Sequence, residues 1–368
     1  MLEAEAAMQT AQLNTAPGPE YLVRQWQGIP GIERTQNGRL WVAYYSGGEG
    51  EGPQYSKFEN YVLLTRSKDN GNTWSKPVVV VDPPGQVRAF DPCLWLDPQG
   101  RLWMFWAQTY KFFDGRAGVW CSVCRNPDSD NPEWTSPRRI ANGIMMNKPI
   151  ALSTGEWLLP CAIWDYERMP KLQFLEPGVY FDLPEERYSN VYRSDDQGES
   201  FHLLGKADVP DRHFDEHMIV EKRDGSLWML VRTSYGIGQS FSYDRGATWT
   251  PGEDSGLGGP VSRFFIGRLR SGNLLLINHH QFSKRDHLTA LVSEDDGATW
   301  RGGLLLDGRD LVSYPDAVQG DDGRIYAVYD RDRYGEKEIL MAVFTEQDIV
   351  EGRCITQGAR LQHVINKA

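Results

Sequence analysis

The chain is poor in cysteine, with five in 368 residues: Cys93, Cys121, Cys124, Cys161 and Cys354. An odd, sparse set excludes a disulfide framework and predicts reduced thiols. Cys121 and Cys124 form a C-x-x-C, but within the strand-like run Val119-Trp-Cys-Ser-Val-Cys. A strand would point the two thiols to opposite faces, which argues against a redox or zinc role. Long apolar runs are also lacking. Stretches such as Ile339 to Phe344 fall far short of the roughly 20 residues a membrane helix needs. Positive charge is scarce too: 39 Lys and Arg stand against 50 Asp and Glu, a net charge of −11. No surplus remains to neutralise phosphates, which excludes a nucleic-acid or anionic-membrane binder. Met1 to Gly18 carries Glu3 and Glu5 and neither the basic nor the apolar region of a signal peptide. That predicts a cytoplasmic protein, or a secreted or periplasmic one if a leader has been removed. Helical periodicity is nearly absent, so an α/β reading fails.

Aromatic residues and glycine are abundant, at 12% aromatic with 37 Gly. Together they predict short strands and tight turns, and raise a carbohydrate-facing surface. Two internal repeats account for much of both. The first has the form Ser-x-Asp-x-Gly-x-Thr-Trp, at Ser67 to Trp74, Ser242 to Trp249 and Ser293 to Trp300, with a weaker copy at Ser194 to Phe201. Here the Asp folds onto backbone N–H groups, Gly takes the left-handed conformation, and Trp pins the hairpin. These are turn devices rather than catalytic groups. The second repeat, a Gly-x-Leu-Trp-like strand start, falls at Gly38, Gly100, Gly155, Gly225, Gly272 and Gly323. Seven of the 13 tryptophans lie in the two motifs, and so do not count as evidence for sugar binding.

Six copies predict six units of four short antiparallel strands, an all-β six-bladed β-propeller in which radial packing protects the sheet edges. Residues 21–368 form the single propeller domain after an N-terminal extension, 1–20. The uneven spacing predicts insertions, the longest around Asp165-Tyr-Glu167-Arg168, where loops overhang a functional face.

From Tyr21 to about Ile349 the Asp turns and six-fold plan resemble the sialidase (neuraminidase) superfamily. The resemblance implies a retaining glycosidase with a Tyr nucleophile activated by a Glu, three Arg residues that clamp the substrate carboxylate, and an Asp acid/base. Glu216-His217-Met218, followed by Leu227 to Arg232, matches the family's Glu and its following Arg. Arg285, opening the strand before the Asp turn at Ser293, matches the next Arg. Tyr314-Pro-Asp316-Ala fits the nucleophile's place.

Two positions depart. The family's first-blade Arg-Ile-Pro reads Gly28-Ile29-Pro30 here, leaving no guanidinium, and Arg24 lies four residues upstream. The catalytic Asp has no clear equivalent, and its loop offers Glu49, Glu51 and Glu59 instead. Asp91, in Arg88-Ala-Phe-Asp91-Pro, is a candidate acid and also reads as a turn aspartate before proline. Arg88, Arg263 and His217 are further candidates for substrate contact, and Lys148 for the cation missing at Gly28. Arg263 and Arg268, five apart, would fall on opposite strand faces. His213 and His217 have H-x-x-x-H spacing, which gathers two imidazoles only on a helix, and no helical pattern surrounds them. No metal or cofactor is expected.

The chemistry is self-consistent. A phenol is a poor nucleophile at pH 7 because its pKa is near 10. A carboxylate bonded to it can take the proton as the new bond forms, and a neutral phenol approaches an anionic sugar without repulsion. Arginine suits a carboxylate because its planar fork gives two parallel hydrogen bonds. The expected function is release of a terminal acidic sugar, sialic acid or a related ulosonic acid, from an acidic oligosaccharide or glycoconjugate. The alternatives are a hydrolase or lyase for uronic-acid glycans and a non-catalytic glycan-binding propeller.

Overall fold

The computed structural model describes residues 10–52, 55, 58–113, 115–164, 183–214 and 216–368. The insertion at Asp165-Tyr-Glu167-Arg168 lies outside the described residues. Among them, 24 strands form six antiparallel sheets of four strands, each drawn from one continuous stretch of chain. Each sheet packs on the next, and the last on the first, giving the six-bladed all-β propeller. The innermost strands, one per blade, are Gln27–Arg34, Val87–Leu96, Ile150–Ala151, Met218–Glu221, Phe265–Arg268 and Val312–Gln319.

Both repeats are structural. The six Gly-x-Leu-Trp glycines have φ between 77° and 101°, which only glycine adopts without strain, and turn each innermost strand into its neighbour. In the Asp turns the Ser hydroxyl donates to the Asp carboxylate at 2.7–2.9 Å, and the Asp accepts an N–H four residues on at 2.8–2.9 Å. Close packing against the preceding blade accounts for the shape of the turn. A Cβ on Gly198 would lie 2.6 Å from the ring of Trp103, in blade two. Blades two and six lack the motif and dock differently. Pro127 O, in blade two's outer loop, accepts from Trp41 Nε1 of blade one at 3.2 Å. Blade six substitutes a short helix, Glu346–Glu351, closed at its start by a Thr345/Asp348 capping box.

A latch joins the first and last blades: Gln27 N–H donates to Arg333 O at 3.2 Å, and Gln27 Nε2 to Lys337 O at 2.6 Å. Arg24 belongs to this latch, with its guanidinium bonded to Gln27 Oε1 at 3.1 Å, Tyr21 O and Asn366 Oδ1. It therefore does not stand in for a first-blade active-site arginine. The described part of the N-terminal extension pairs at Asn14 with Val80, through two 2.9 Å backbone bonds.

One local device positions the site. Three innermost strands break register, at Gly28/Gly31, Phe90/Cys93 and Ser313/Asp316. Each bulge holds a left-handed non-glycine residue directly before a proline: Ile29 (φ 56°), Asp91 (φ 48°) and Tyr314 (φ 57°). A bulge re-aims the side chain it carries. Holding such a residue left-handed costs on the order of 1–3 kcal/mol, strain of the kind that concentrates at functional sites. Here it turns Ile29, Asp91 and Tyr314 into one cavity.

Candidate active site

The cavity, about 680 Å³, opens where the innermost strands begin. Its size suits a monosaccharide. Tyr314, 5% exposed, donates from Oη to Glu216 Oε1 at 2.9 Å. Glu216 stands two residues ahead of blade four's innermost strand, and Arg232 on the next strand, Leu227–Thr233. Arg232 Nη1 donates to Tyr314 Oη at 2.9 Å and also pairs with Glu216 Oε1. Glu216 Oε2 is buried with no partner among the described residues, so the carboxylate keeps spare acceptor capacity. Burial pushes the Tyr314 phenol above its ordinary range, against the pull of Arg232, and so keeps it protonated at neutral pH.

Two more guanidiniums flank the phenol. Arg285 Cζ lies 5.2 Å from the Tyr314 ring centroid, and Arg333 Cζ 4.3 Å. Arg333 is fixed by Asp330 Oδ2 at 2.9 Å and Glu51 Oε1 at 2.6 Å. Arg88, stacked 3.9 Å over Phe90, donates to Glu51 O at 3.2 Å. One wall is aromatic, with Trp164 packed edge-on against Phe214 at 4.9 Å.

The two other carboxyls that line the cavity, Glu51 and Asp91, differ in charge state. Burial pushes the Glu51 carboxyl up, but Arg333 and the Tyr45 hydroxyl outweigh it and hold the group below its ordinary value. For Asp91, burial dominates and the nearby Glu216 and Glu51 charges add to it, so that its carboxyl is pushed up to about 7. At neutral pH the cavity therefore holds an ionised Glu51 beside an Asp91 that still carries its proton in a large fraction of molecules. A carboxyl raised on folding adds stability below its unfolded value, near 4, and that stability is lost as pH rises towards 7. Asp91→Asn, which cannot ionise, should therefore exceed the wild type in stability by a few kcal/mol at pH 8 and match it at pH 4, read from urea midpoints at the two pH values.

The structure thus brings Tyr314, Glu216, Asp91, Glu51, Arg232, Arg285 and Arg88 to one cavity, and leaves three candidates outside it. Lys148 faces away. Its ammonium is bonded to Leu94 O and Glu33 Oε1, both at 2.8 Å, with Asp316 Oδ2 at 3.2 Å, and it lines a separate cavity of about 510 Å³ at the other end of the axis. It does not supply the cation missing at Gly28. Arg263, 1% exposed, is bonded to Asn147 Oδ1 at 2.7 Å and to Pro30 O and Met146 O at 3.0 Å. These two cations fill the axis between the cavities, a buried role that competes with substrate contact. His217 is turned into blade three, with Nε2 at 2.8 Å from Asn190 O, whereas His213 lines the cavity. Among the described residues no group of three or more His, Cys, Asp or Glu could hold a metal ion.

Sequence reasoning missed Arg333, Tyr45 and Trp164. For Arg333 the available signal was the basic, acidic and aromatic run Asp330-Arg-Asp-Arg333-Tyr334 at the blade-six turn.

The family model of the BNR repeat-like domain matches residues 38–327. No curated protein matches the chain by sequence. Among solved structures, the Hadza microbial sialidase Hz136 is similar with a TM-score of 0.68 at 20% identity, over 88% of this chain and 66% of that one. This chain thus spans about two thirds of that protein's length. The Ruminococcus gnavus intramolecular trans-sialidase, in complex with oseltamivir carboxylate, is similar with a TM-score of 0.64 at 14% identity, over 88% and 95% of the two chains. The leech intramolecular trans-sialidase, complexed with 2,7-anhydro-Neu5Ac, gives 0.64 at 13% identity, over 92% and 70%. At such identities the likeness shows the fold alone.

Proposed function

The chain belongs to the BNR repeat-like domain family, with the propeller of the sialidases, and from that premise we propose that it is a retaining exo-glycosidase that releases a terminal acidic sugar, sialic acid or a related ulosonic acid. The observation that carries this reading is the 2.9 Å hydrogen bond from Tyr314 Oη to Glu216 Oε1, inside a cavity lined by Arg232 and Arg285. For a sugar whose anomeric carbon bears a carboxylate, a neutral phenol avoids the repulsion an Asp or Glu nucleophile would meet.

In the first step Tyr314 Oη attacks the anomeric carbon as Glu216 takes its proton. Arg232, bonded to both, stabilises the charge passing between them. Asp91 donates its proton to the departing glycosidic oxygen, which leaves as an alcohol. The product is a tyrosyl-glycosyl intermediate. In the second step Asp91, now ionised, takes a proton from water, which attacks the anomeric carbon. Tyr314 leaves and recovers its proton from Glu216. Two displacements restore the starting configuration. Arg232 and Arg285 hold the substrate carboxylate, a charge-assisted contact that sets orientation as well as affinity.

A proton NMR time course on an α-linked aryl ulosonoside tests this reading: the first sugar released should have the configuration of the substrate. Release of the opposite anomer, or no release from any ulosonoside offered, would contradict it.

A further inference from the structure

We propose that Arg333, reaching in from the last blade, is the third carboxylate-binding arginine of the cavity, and that position 28 is glycine to make room for it. The inference rests on the reading of the cavity as an acidic-sugar site and names a binding residue that reading does not contain.

The first ground is steric. Gly28 is buried in blade one's innermost strand, where it pairs with Tyr45. Its φ is not in the left-handed region, so its backbone does not call for glycine. What calls for it is Arg333: a Cβ on residue 28 would lie 2.7 Å from both Cδ and Nε of that side chain and 2.9 Å from Cγ. The Arg333 side chain therefore crosses the space that a first-blade side chain would occupy. Because the propeller is a ring, the last blade lies beside the first, and residue 333 can reach the same place as residue 28.

The second ground is presentation. Arginine has five N–H donors. Asp330 Oδ2 engages Nε at 2.9 Å and Glu51 Oε1 engages Nη1 at 2.6 Å, while Nη2 has only a long 3.4 Å contact to Ser313 Oγ. Asp330 is itself locked by Ile29 N–H at 2.7 Å and Ser313 Oγ–H at 2.8 Å. The fork is thus held rigid with donors to spare, which lowers the ordering cost of binding an anion.

The third ground is convergence. Arg333 Cζ lies over the Tyr314 ring at 4.3 Å and Arg285 Cζ at 5.2 Å, and Arg232 reaches Tyr314 Oη at 2.9 Å. Three guanidiniums from three blades converge on the side chain of Tyr314, whose hydroxyl is proposed to attack the carbon that bears the carboxylate.

The test compares two ligands by calorimetry on the full chain: a 2,3-unsaturated ulosonate, and the same molecule with its carboxylate reduced to hydroxymethyl. Arg333→Ala should weaken the acid about 10- to 100-fold, the range of one charge-assisted contact, and shift the alcohol by less than about twofold. On an aryl ulosonoside, KM should rise more than kcat falls. Arg333→Lys should recover part of the acid affinity, and Gly28→Arg combined with Arg333→Ala should recover more. Thermal midpoints of each variant show whether the fold is kept. Equal weakening of both ligands by Arg333→Ala, or none, would overturn the assignment even if the wild type turns over ulosonosides. Selective loss of the acid, in a wild type that turns over none, would uphold the anion site and overturn the proposed reaction instead.

Discussion

Replacing Tyr314 by Phe lowers kcat on any ulosonoside by at least about 10³-fold, because the substitution removes the attacking atom and leaves the cavity's shape intact. The ring of Tyr314 packs in a core cluster that includes Tyr45, Phe90 and Trp164, so Phe retains that packing. Arg232 and Glu216 stay paired with each other when the hydroxyl is gone, so no charge is orphaned. The thermal midpoint should therefore move little while turnover is lost. If Tyr314 were only a packed aromatic at a strand end, Tyr314→Phe would keep nearly full activity. Rates measured beside a thermal melt of the same preparation separate the two accounts.

Asp91→Asn has the next largest effect, and its size depends on the leaving group. With a sugar or alkyl leaving group the departing oxygen needs a proton, and kcat/KM should fall about 10²- to 10⁴-fold. With nitrophenolate, which leaves unaided, kcat/KM should stay within about tenfold of wild type, since it reports the first step alone. The pH profile follows from the same group. The proton-bearing form of Asp91 does the work, and its carboxyl sits at about 7, so wild-type kcat/KM on sugar-linked substrates should fall as pH rises through that value. In Asp91→Asn that limb should vanish. An equal loss on both leaving groups would assign the proton to another residue, with Glu51 the nearest alternative. Glu51 is the poorer acid because Arg333 and Tyr45 hold it ionised.

The fold could be read from the sequence because its two repeats are local: Ser, Asp and Gly at fixed offsets build the same hydrogen bonds wherever they occur. Glu216, Arg232, Arg285 and Tyr314 were readable through the resemblance to the sialidases, whose corresponding residues keep fixed places relative to the repeats. Where the reading failed, the contact was made by the ring. Nothing local to Asp330-Arg-Asp-Arg333 tells that blade six abuts Gly28. Lys148 and Asp91 both precede a proline, Lys148 just ahead of an innermost strand and Asp91 within one, yet only Asp91 sits left-handed in a bulge and enters the cavity. Lys148 instead meets Glu33 and Asp316 further down the axis. Strand parity predicts direction only where the register is unbroken. The bulges carry a signal of their own, since Ile29, Asp91 and Tyr314 are each followed by proline on an innermost strand.

The central claim is that Tyr314 forms a covalent bond to the sugar. Incubation with a fluorinated ulosonosyl fluoride, which forms the intermediate faster than water resolves it, followed by peptide mapping, tests it directly. One sugar per chain, carried by the peptide containing Tyr314 and absent in Tyr314→Phe, is the predicted result. Label on Glu216, Asp91 or Glu51, or no label from a protein that turns over the parent substrate, would contradict it.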